Sequence, residues 1–175
     1  NDDIPWIAPV LQLIRDSVAA EVPVLGHCLG GQLMSKALGG TVSRNAIKEI
    51  GWGEVTVVDA PAARAWFGHA APSFTSFHWH GEMFSLPPGA ERVLTNAHCE
   101  NQAFALGPPL AMQCHIEMTP EMIASWCVSG AREISRSESP AVQSVETINS
   151  ESGVRLPALH AVAEGVYARW IEGLK

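Results

Sequence analysis

A cysteine at a glycine corner and, far along the chain, a histidine two places before a glutamate are the residues best spaced to do chemistry. "PVLGHCLGGQ" spans Pro23 to Gln32 and sets Cys28 within Gly26-His27-Cys28-Leu29-Gly30. The spacing G-x-C-x-G is the cysteine form of a strand-to-helix nucleophile elbow. A chain that reverses so sharply strains its corner residue, and the residues two places either side must be very small, which accounts for Gly26 and Gly30. The corner thiol then stands exposed at a helix N-terminus, whose partial positive charge favours a thiolate. Such a nucleophile needs a base and a group that orients the base. "QCHIEM" supplies both: His115 and Glu117 are at i and i+2, on one side of an extended backbone. Glu117 can then hold one ring nitrogen while the other faces Cys28. The competing readings are a core cysteine beside a glycine turn and a phosphate cradle; the second lacks both G-x-G-x-x-G and a G-K-[ST] ending.

Positioning these groups requires helix, strand, tight turn and helix in succession. Ile7, Val10, Leu11, Ile14 and Val18 recur at three and four within Ile4 to Ala20, one face of a helix with Asp2 or Asp3 as cap and Pro5 tolerated in its first turn. Val22 to Leu25 reads as a short buried strand, and Leu29 to Leu38 as a helix closed by Gly39-Gly40. This is the rhythm of an α/β fold. The middle carries short strand candidates, "GEVTVVDA", "SFTSFHWH", "ERVLTNAH", "QAFALG" and "LAMQCHIEM", divided by turns such as "LPPG". That predicts an antiparallel or mixed section. A helix is expected from about Pro120 to Ser129, then a polar and mobile connection over Ser135 to Ser152. Last comes an amphipathic helix over Leu156 to Leu174, with Leu159, Val162, Val166, Tyr167 and Trp170 on one stripe. No repeat divides the chain, so residues 1–175 read as a single domain.

Of the 175 residues, 47% are hydrophobic and 17% charged, enough for a real core and too few charges for a disordered chain. A formal charge of −7 argues against a nucleic-acid partner, which would require a basic face. No apolar stretch reaches membrane-span length and no signal-peptide pattern opens the sequence. The four cysteines, Cys28, Cys99, Cys114 and Cys127, form no C-x-x-C pair, so a reduced, cytoplasmic setting is expected.

Several residues invite a sharper reading than they support. His78 and His80 form H-x-H, both on one strand face, and with His98 and Cys99 make a conceivable ligand set. No acidic or cysteine partner sits at finger-like spacing, so no metal is assigned, and no cofactor is expected. Cys99, Cys114 and Cys127 read as core. Trp6, Trp66, Trp126 and Trp170 read as packing seams, and so do Met112, Met118 and Met122. Glu133, Glu138, Glu146 and Glu151 read as a solvated loop surface.

"PVLGHCLGGQLMSKALGG" and "MQCHIEM" together resemble the class I glutamine amidotransferases, with their G-x-C-x-G-x-Q elbow and H-P-E segment. "WHGEMFSLPPGAERVLTNAHCENQAF" is most similar to the stand-alone, GMP-synthase-like branch. The resemblance covers about Asn1 to Trp126 and implies a flavodoxin-like, doubly wound, mostly parallel sheet. It implies hydrolysis of the glutamine side-chain amide through a thioester, with ammonia passed to a partner synthase. Cys28 would be the nucleophile, His115 the proton shuttle and Glu117 its orienting group. Gln32 would help bind substrate, the Leu29 N–H would face the oxyanion, and Trp79-His80-Gly81 would hold the substrate's amino-acid end. Ile116 replaces the usual proline. In this family about three strands and a glycine-rich loop with a second oxyanion donor precede the first helix. The chain is therefore expected to be the C-terminal part of a longer protein, poorly active alone, since losing one such donor costs roughly 10²–10³ in rate. The alternatives are a γ-glutamyl peptidase using the same triad and a binding or regulatory module that has lost the chemistry.

Overall fold

The computed structural model describes residues 4–174, so a cap at Asp2 or Asp3 lies outside the described residues. The chain opens with α1 (Ile7–Ala19), β1 (Leu25–His27) and α2 (Leu29–Ala37), the expected succession. There follow β2 (Val42–Val57), α3 (Pro61–Phe67), β3 (Ser73–Phe84), β4 (Glu91–Thr95), β5 (Ala103–Ala105) and β6 (Leu110–Met112). It closes with α4 (Pro120–Arg136), β7 (Ala141–Val142) and α5 (Val145–Glu172).

All seven strands share one sheet in the order β1-β6-β5-β4-β2-β3, with β7 added alongside β2. Helices cover both faces, as a doubly wound α/β fold requires. Period two sorts the central strands between them. In β5 and β6, Ala103, Ala105, Leu110 and Met112 join the core shared with α3, α4 and α5, while Phe104 and Ala111 join the core under α1 and α2. Such strands, buried on both faces, read as unbroken apolar runs. Parallel pairing is confined to β1–β6 and β2–β7 among the described residues, so the antiparallel section is the larger share of the sheet. The short connections from β4 to β5 and from β5 to β6 leave no room for the crossover that parallel strands need. No helix among the described residues is long and apolar enough to cross a membrane.

The stripes on α1 and α5 face inward: Ile7, Ile14, Leu159, Val162 and Val166 are buried. The polar stretch Ser135 to Ser152 departs from expectation, because it holds the end of α4, strand β7 and the start of α5. Helix α4 continues to Arg136, and α5 already begins at Val145, capped by Ser144, whose hydroxyl accepts from the Thr147 N–H at 3.2 Å. Its serines and glutamine serve as anchors. The Ser139 hydroxyl donates to the Lys48 carbonyl at 2.5 Å, and Gln143 Oε1 accepts from the Trp52 N–H at 2.7 Å. Ile148 is fully buried, and its carbonyl accepts from the Trp52 indole at 3.1 Å. Trp6 also departs from expectation: at 47% exposure it seals no seam, whereas Trp66 is buried beneath Arg169.

Truncating Ile148 tests whether this polar stretch belongs to the core. Ile148→Ala is expected to cost about 2–5 kcal/mol, read from urea unfolding; a connection outside the core would leave the midpoint unmoved.

Candidate active site

Parallel pairing of β1 with β6 aligns Gly26 with Ala111 and His27 with Met112. Cys28 comes next and donates its N–H to the Met112 carbonyl at 2.8 Å. There the chain breaks from strand to helix. Cys28 has φ +46° and ψ −105°, a left-handed conformation that a side chain seldom tolerates, as an elbow demands. The steric requirement for glycine is one-sided. A Cβ on Gly26 would lie 2.6 Å from the Gly30 carbonyl carbon and 2.7 Å from Met34 Sδ, whereas one on Gly30 would meet nothing within 4 Å. The second tight glycine is instead Gly31, where a Cβ would lie 2.6 Å from the Met112 carbonyl oxygen. Gly31 lets α2 rest on β6.

Beyond Met112 the chain remains extended. His115 is fixed by its backbone, exchanging hydrogen bonds with Phe77 of β3 (2.8 and 3.2 Å), and its carbonyl also accepts from the Ser76 hydroxyl at 3.0 Å. Its ring Nδ1 donates to Glu117 Oε1 at 2.5 Å. Nε2 is buried and makes no hydrogen bond among the described residues; His115 and Cys28 line the same cavity. Burial opposes a charge on this ring, but the neighbouring Cys28 and the bond and charge of Glu117 outweigh it, raising the His115 pKa to about 9. For Glu117 burial works against ionisation, and the bond and charge of His115 more than reverse it, so its carboxyl titrates below the usual range.

Cys28, Leu29, His115 and Trp79 line one cavity of about 500 Å³, with His27, Trp126, Ser129, Gly130 and Glu133 completing the wall. Gln32 does not line it. Its amide donates to Gln113 Oε1 at 3.3 Å, and Gln113 Nε2 in turn lies 3.6 Å from the sulfur. His80 is not brought to the cavity: its ring is buried on the opposite face of β3, 3.1 Å from Glu49. The other thiols stand apart. Burial pushes Cys99 and Cys114 up to about 12 and raises Cys127, and all three are buried and free.

Five participants escaped the sequence reading. Gln113 shares the i, i+2 phase of His115 and Glu117, so the same periodicity would have found it. His27 Nδ1 lies 3.3 Å from Glu117 Oε2, and neither atom has another side-chain partner among the described residues. The Tyr167 hydroxyl lies 3.2 Å from His27 Nε2, on the far side of that ring. Burial, only partly offset by the Glu117 charge, lowers the His27 pKa, so a neutral ring backs the carboxylate. Trp126 is cavity wall as well as packing, with its ring edge-on to His115 at 5.0 Å. Glu133 is not solvated loop: it lies on α4, pairs with Lys48 at 2.5 Å and accepts from the Trp79 indole at 3.0 Å. Trp126 and Glu133 lie on a helix whose docking no local pattern announces.

The two elbow glycines should separate cleanly in stability. Gly26→Ala is expected to cost at least about 1–3 kcal/mol through overpacking. Gly30→Ala, in open space on a helix, should be neutral or stabilising by up to about 1 kcal/mol. Urea unfolding of the two variants measures the difference.

The sequence and the fold have counterparts. The family model for class I glutamine amidotransferases matches residues 5–125. The chain is 34% identical over 112 residues to the glutamine amidotransferase-like protein YfeJ of Salmonella typhimurium, covering 63% of this chain and 47% of that protein. It is 32% identical over 166 residues to a glutamine-hydrolysing GMP synthase of Aeropyrum pernix, covering 87% of this chain and 31% of the synthase. The chain thus spans less than half the length of these two relatives. Among solved structures, a glutamine amidotransferase of Methylobacillus flagellatus superposes with a TM-score of 0.94 at 45% identity, covering all of this chain and 72% of the other. One from Thermotoga maritima gives 0.87 at 28% identity, covering 98% and 72%. With the family model matching well over half its residues, the chain belongs to the class I glutamine amidotransferases.

Proposed function

We propose that the protein hydrolyses the side-chain amide of glutamine, with Cys28 as nucleophile, His115 as acid and base, and Glu117 as the group that orients His115. The observation that carries this reading is the meeting of the strained Cys28 and the His115–Glu117 pair at one cavity. The Cys28 sulfur, its proton passed to His115, attacks the amide carbon, and the Leu29 N–H faces the developing oxyanion at the start of α2. The tetrahedral adduct collapses as the imidazolium of His115 protonates the leaving nitrogen, so ammonia departs and a thioester remains. His115 then takes a proton from water, hydroxide attacks the thioester, and glutamate leaves as the thiol is restored. Gln32, reaching the sulfur through Gln113, keeps the elbow in register. The backbone of Trp79-His80-Gly81 holds the substrate's amino-acid end.

We read residues 1–175 as one amidotransferase domain working in a reducing, cytoplasmic setting, with its ammonia received by a synthase, as the names of the GMP synthase relatives suggest. A γ-glutamyl compound is the second reading. It is favoured by the cavity's volume of about 500 Å³ and its further wall of Trp126, Ser129, Gly130 and Glu133, more room than a single amide nitrogen needs.

Ammonia release from glutamine and from a panel of γ-glutamyl amides by the full chain decides between the two substrates. Cys28→Ser is expected to abolish turnover, and His115→Asn to reduce it by about 10²–10⁴. A glutamine-like electrophile should label Cys28 well ahead of Cys99, Cys114 and Cys127 by mass spectrometry. Slow, uniform labelling without turnover would assign a binding module instead.

The pH profile follows from the raised His115 pKa. The ring holds its proton below about 9 and can serve the leaving nitrogen throughout the neutral range. Above that value the donor is lost, so kcat/KM should fall as pH rises through about 9. Glu117→Gln removes a charge that holds the proton on, and its alkaline limb should move to lower pH.

A further inference from the structure

Behind the active site, on the other face of β3, His78, His80 and Glu49 form a second buried cluster. Their exposures are 1%, 4% and 3%. His80 and Glu49 are register partners across β2 and β3, and His78 follows on the same face. Each ring spends one nitrogen on a backbone carbonyl: His78 Nε2 on Gly53 at 3.4 Å and His80 Nδ1 on Glu82 at 3.0 Å. A carbonyl oxygen only accepts, so those nitrogens carry the ring protons. The remaining nitrogens, His78 Nδ1 and His80 Nε2, are buried, make no hydrogen bond among the described residues, and point at the Glu49 carboxylate. Two imidazole lone pairs and a carboxylate therefore converge, acceptors against acceptor.

We infer that Glu49, His78 and His80 are the protein ligands of a divalent transition-metal site of the zinc class. Their ligand atoms all lie within 4.8 Å of one another. His80 Nε2 is 3.1 Å from Glu49 Oε2 and His78 Nδ1 is 4.0 Å from Oε1. Ligands around a tetrahedral Zn²⁺ stand about 3.3–3.5 Å apart, given metal–ligand bonds of about 2.0–2.2 Å, so these separations bracket the requirement. An additional proton on His80 would satisfy that ring and one carboxylate oxygen. It would leave His78 Nδ1 facing Oε1 across a gap too wide for a hydrogen bond. One cation serves all three.

The surroundings match a metal site's outer layer. Both rings donate their other N–H to a carbonyl, the arrangement that fixes the tautomer of a ligating histidine. The carboxylate is aimed by Asn96 Nδ2 at 2.6 Å and Gln102 Nε2 at 2.9 Å. Glu49 and His78 open onto a cavity of about 310 Å³ that Asn96 and His98 also line, which provides an entry path and room for a water ligand. The sequence reading assigned no metal because no acidic or cysteine partner of the H-x-H pair sits at finger-like spacing. Glu49 supplies one across the sheet, while Cys99 turns its sulfur to the Asn101 carbonyl at 3.7 Å.

The test uses the tag-free full chain carrying Cys28→Ser, so that the accessible thiol binds nothing. After chelator treatment and dialysis, Co²⁺ is expected to bind one per chain with the visible bands of a low-coordinate nitrogen and oxygen site. Zn²⁺ should displace it and raise the thermal midpoint. X-ray absorption of the zinc form should show imidazole and oxygen ligands without sulfur. His78→Phe and Glu49→Gln, each added to that background and verified by circular dichroism, should lose stoichiometric uptake. No stoichiometric uptake by the parent would overturn the site and leave a proton on His80 as the shared charge. Sulfur ligation, or uptake unchanged in a folded variant, would overturn it equally. The absorption measurement decides even if both variants fail to fold. None of these readouts depends on turnover, so the site stands or falls separately from the proposed hydrolysis.

Discussion

The parallel pairing of β1 with β6 is the constraint on which the candidate site depends. Parallel neighbours leave a sheet at the same end, and in open α/β sheets that end, beyond the strands' carboxyl termini, is where sites form. Here one chain turns at Cys28 into α2 while the other runs on to His115. The Cys28 N–H on the Met112 carbonyl sets the thiol's depth, and the backbone exchange between His115 and Phe77 sets the imidazole's. Gly31 matters for the same reason: it allows α2 to sit against the Met112 carbonyl instead of being propped away from it. None of these contacts involves a reacting atom, yet together they bring two residues remote in sequence to one cavity.

The same side chain acquires opposite character a few residues apart. Burial alone would discharge every interior histidine, and it does so for His78, whose pKa falls to about 4 despite the nearby Glu49. His115 is buried almost as deeply, but its contacts with Cys28 and Glu117 carry it to about 9. His27 lies between these cases, lowered by burial and held beside the second oxygen of Glu117. The hydrogen-bond partner of each ring, rather than its depth, decides which histidine can exchange protons near neutrality.

Much of this was legible before any coordinates. The elbow, the H-x-E pair, the stripes of α1 and α5 and the short apolar runs of β5 and β6 are local patterns, and local patterns survive in one dimension. Glu49 was not legible as a neighbour of His80, because cross-strand register is a relation between segments. Ser135 to Ser152 misled through composition: its serines and Gln143 cap helices and grip β2, while Ile148, one apolar residue among them, does the burying. The glycine pattern was half right for a steric reason. Gly26 and Gly30 do approach each other, but the missing side-chain volume is needed on Gly26 alone.

Helix α5 has a mechanical meaning beyond its packing. Twenty-eight residues at about 1.5 Å each make a strut of roughly 42 Å. One end is moored to β2 through Ile148 and Trp52, and the other holds the approach to the elbow, where Trp170 donates to the Pro23 carbonyl at 3.0 Å and Tyr167 meets His27. Pro157 interrupts the ladder between those moorings, since a proline cannot bond to the carbonyl four residues before it. A single helix therefore ties β2 to the elbow, with one rung missing from its ladder between the two attachments.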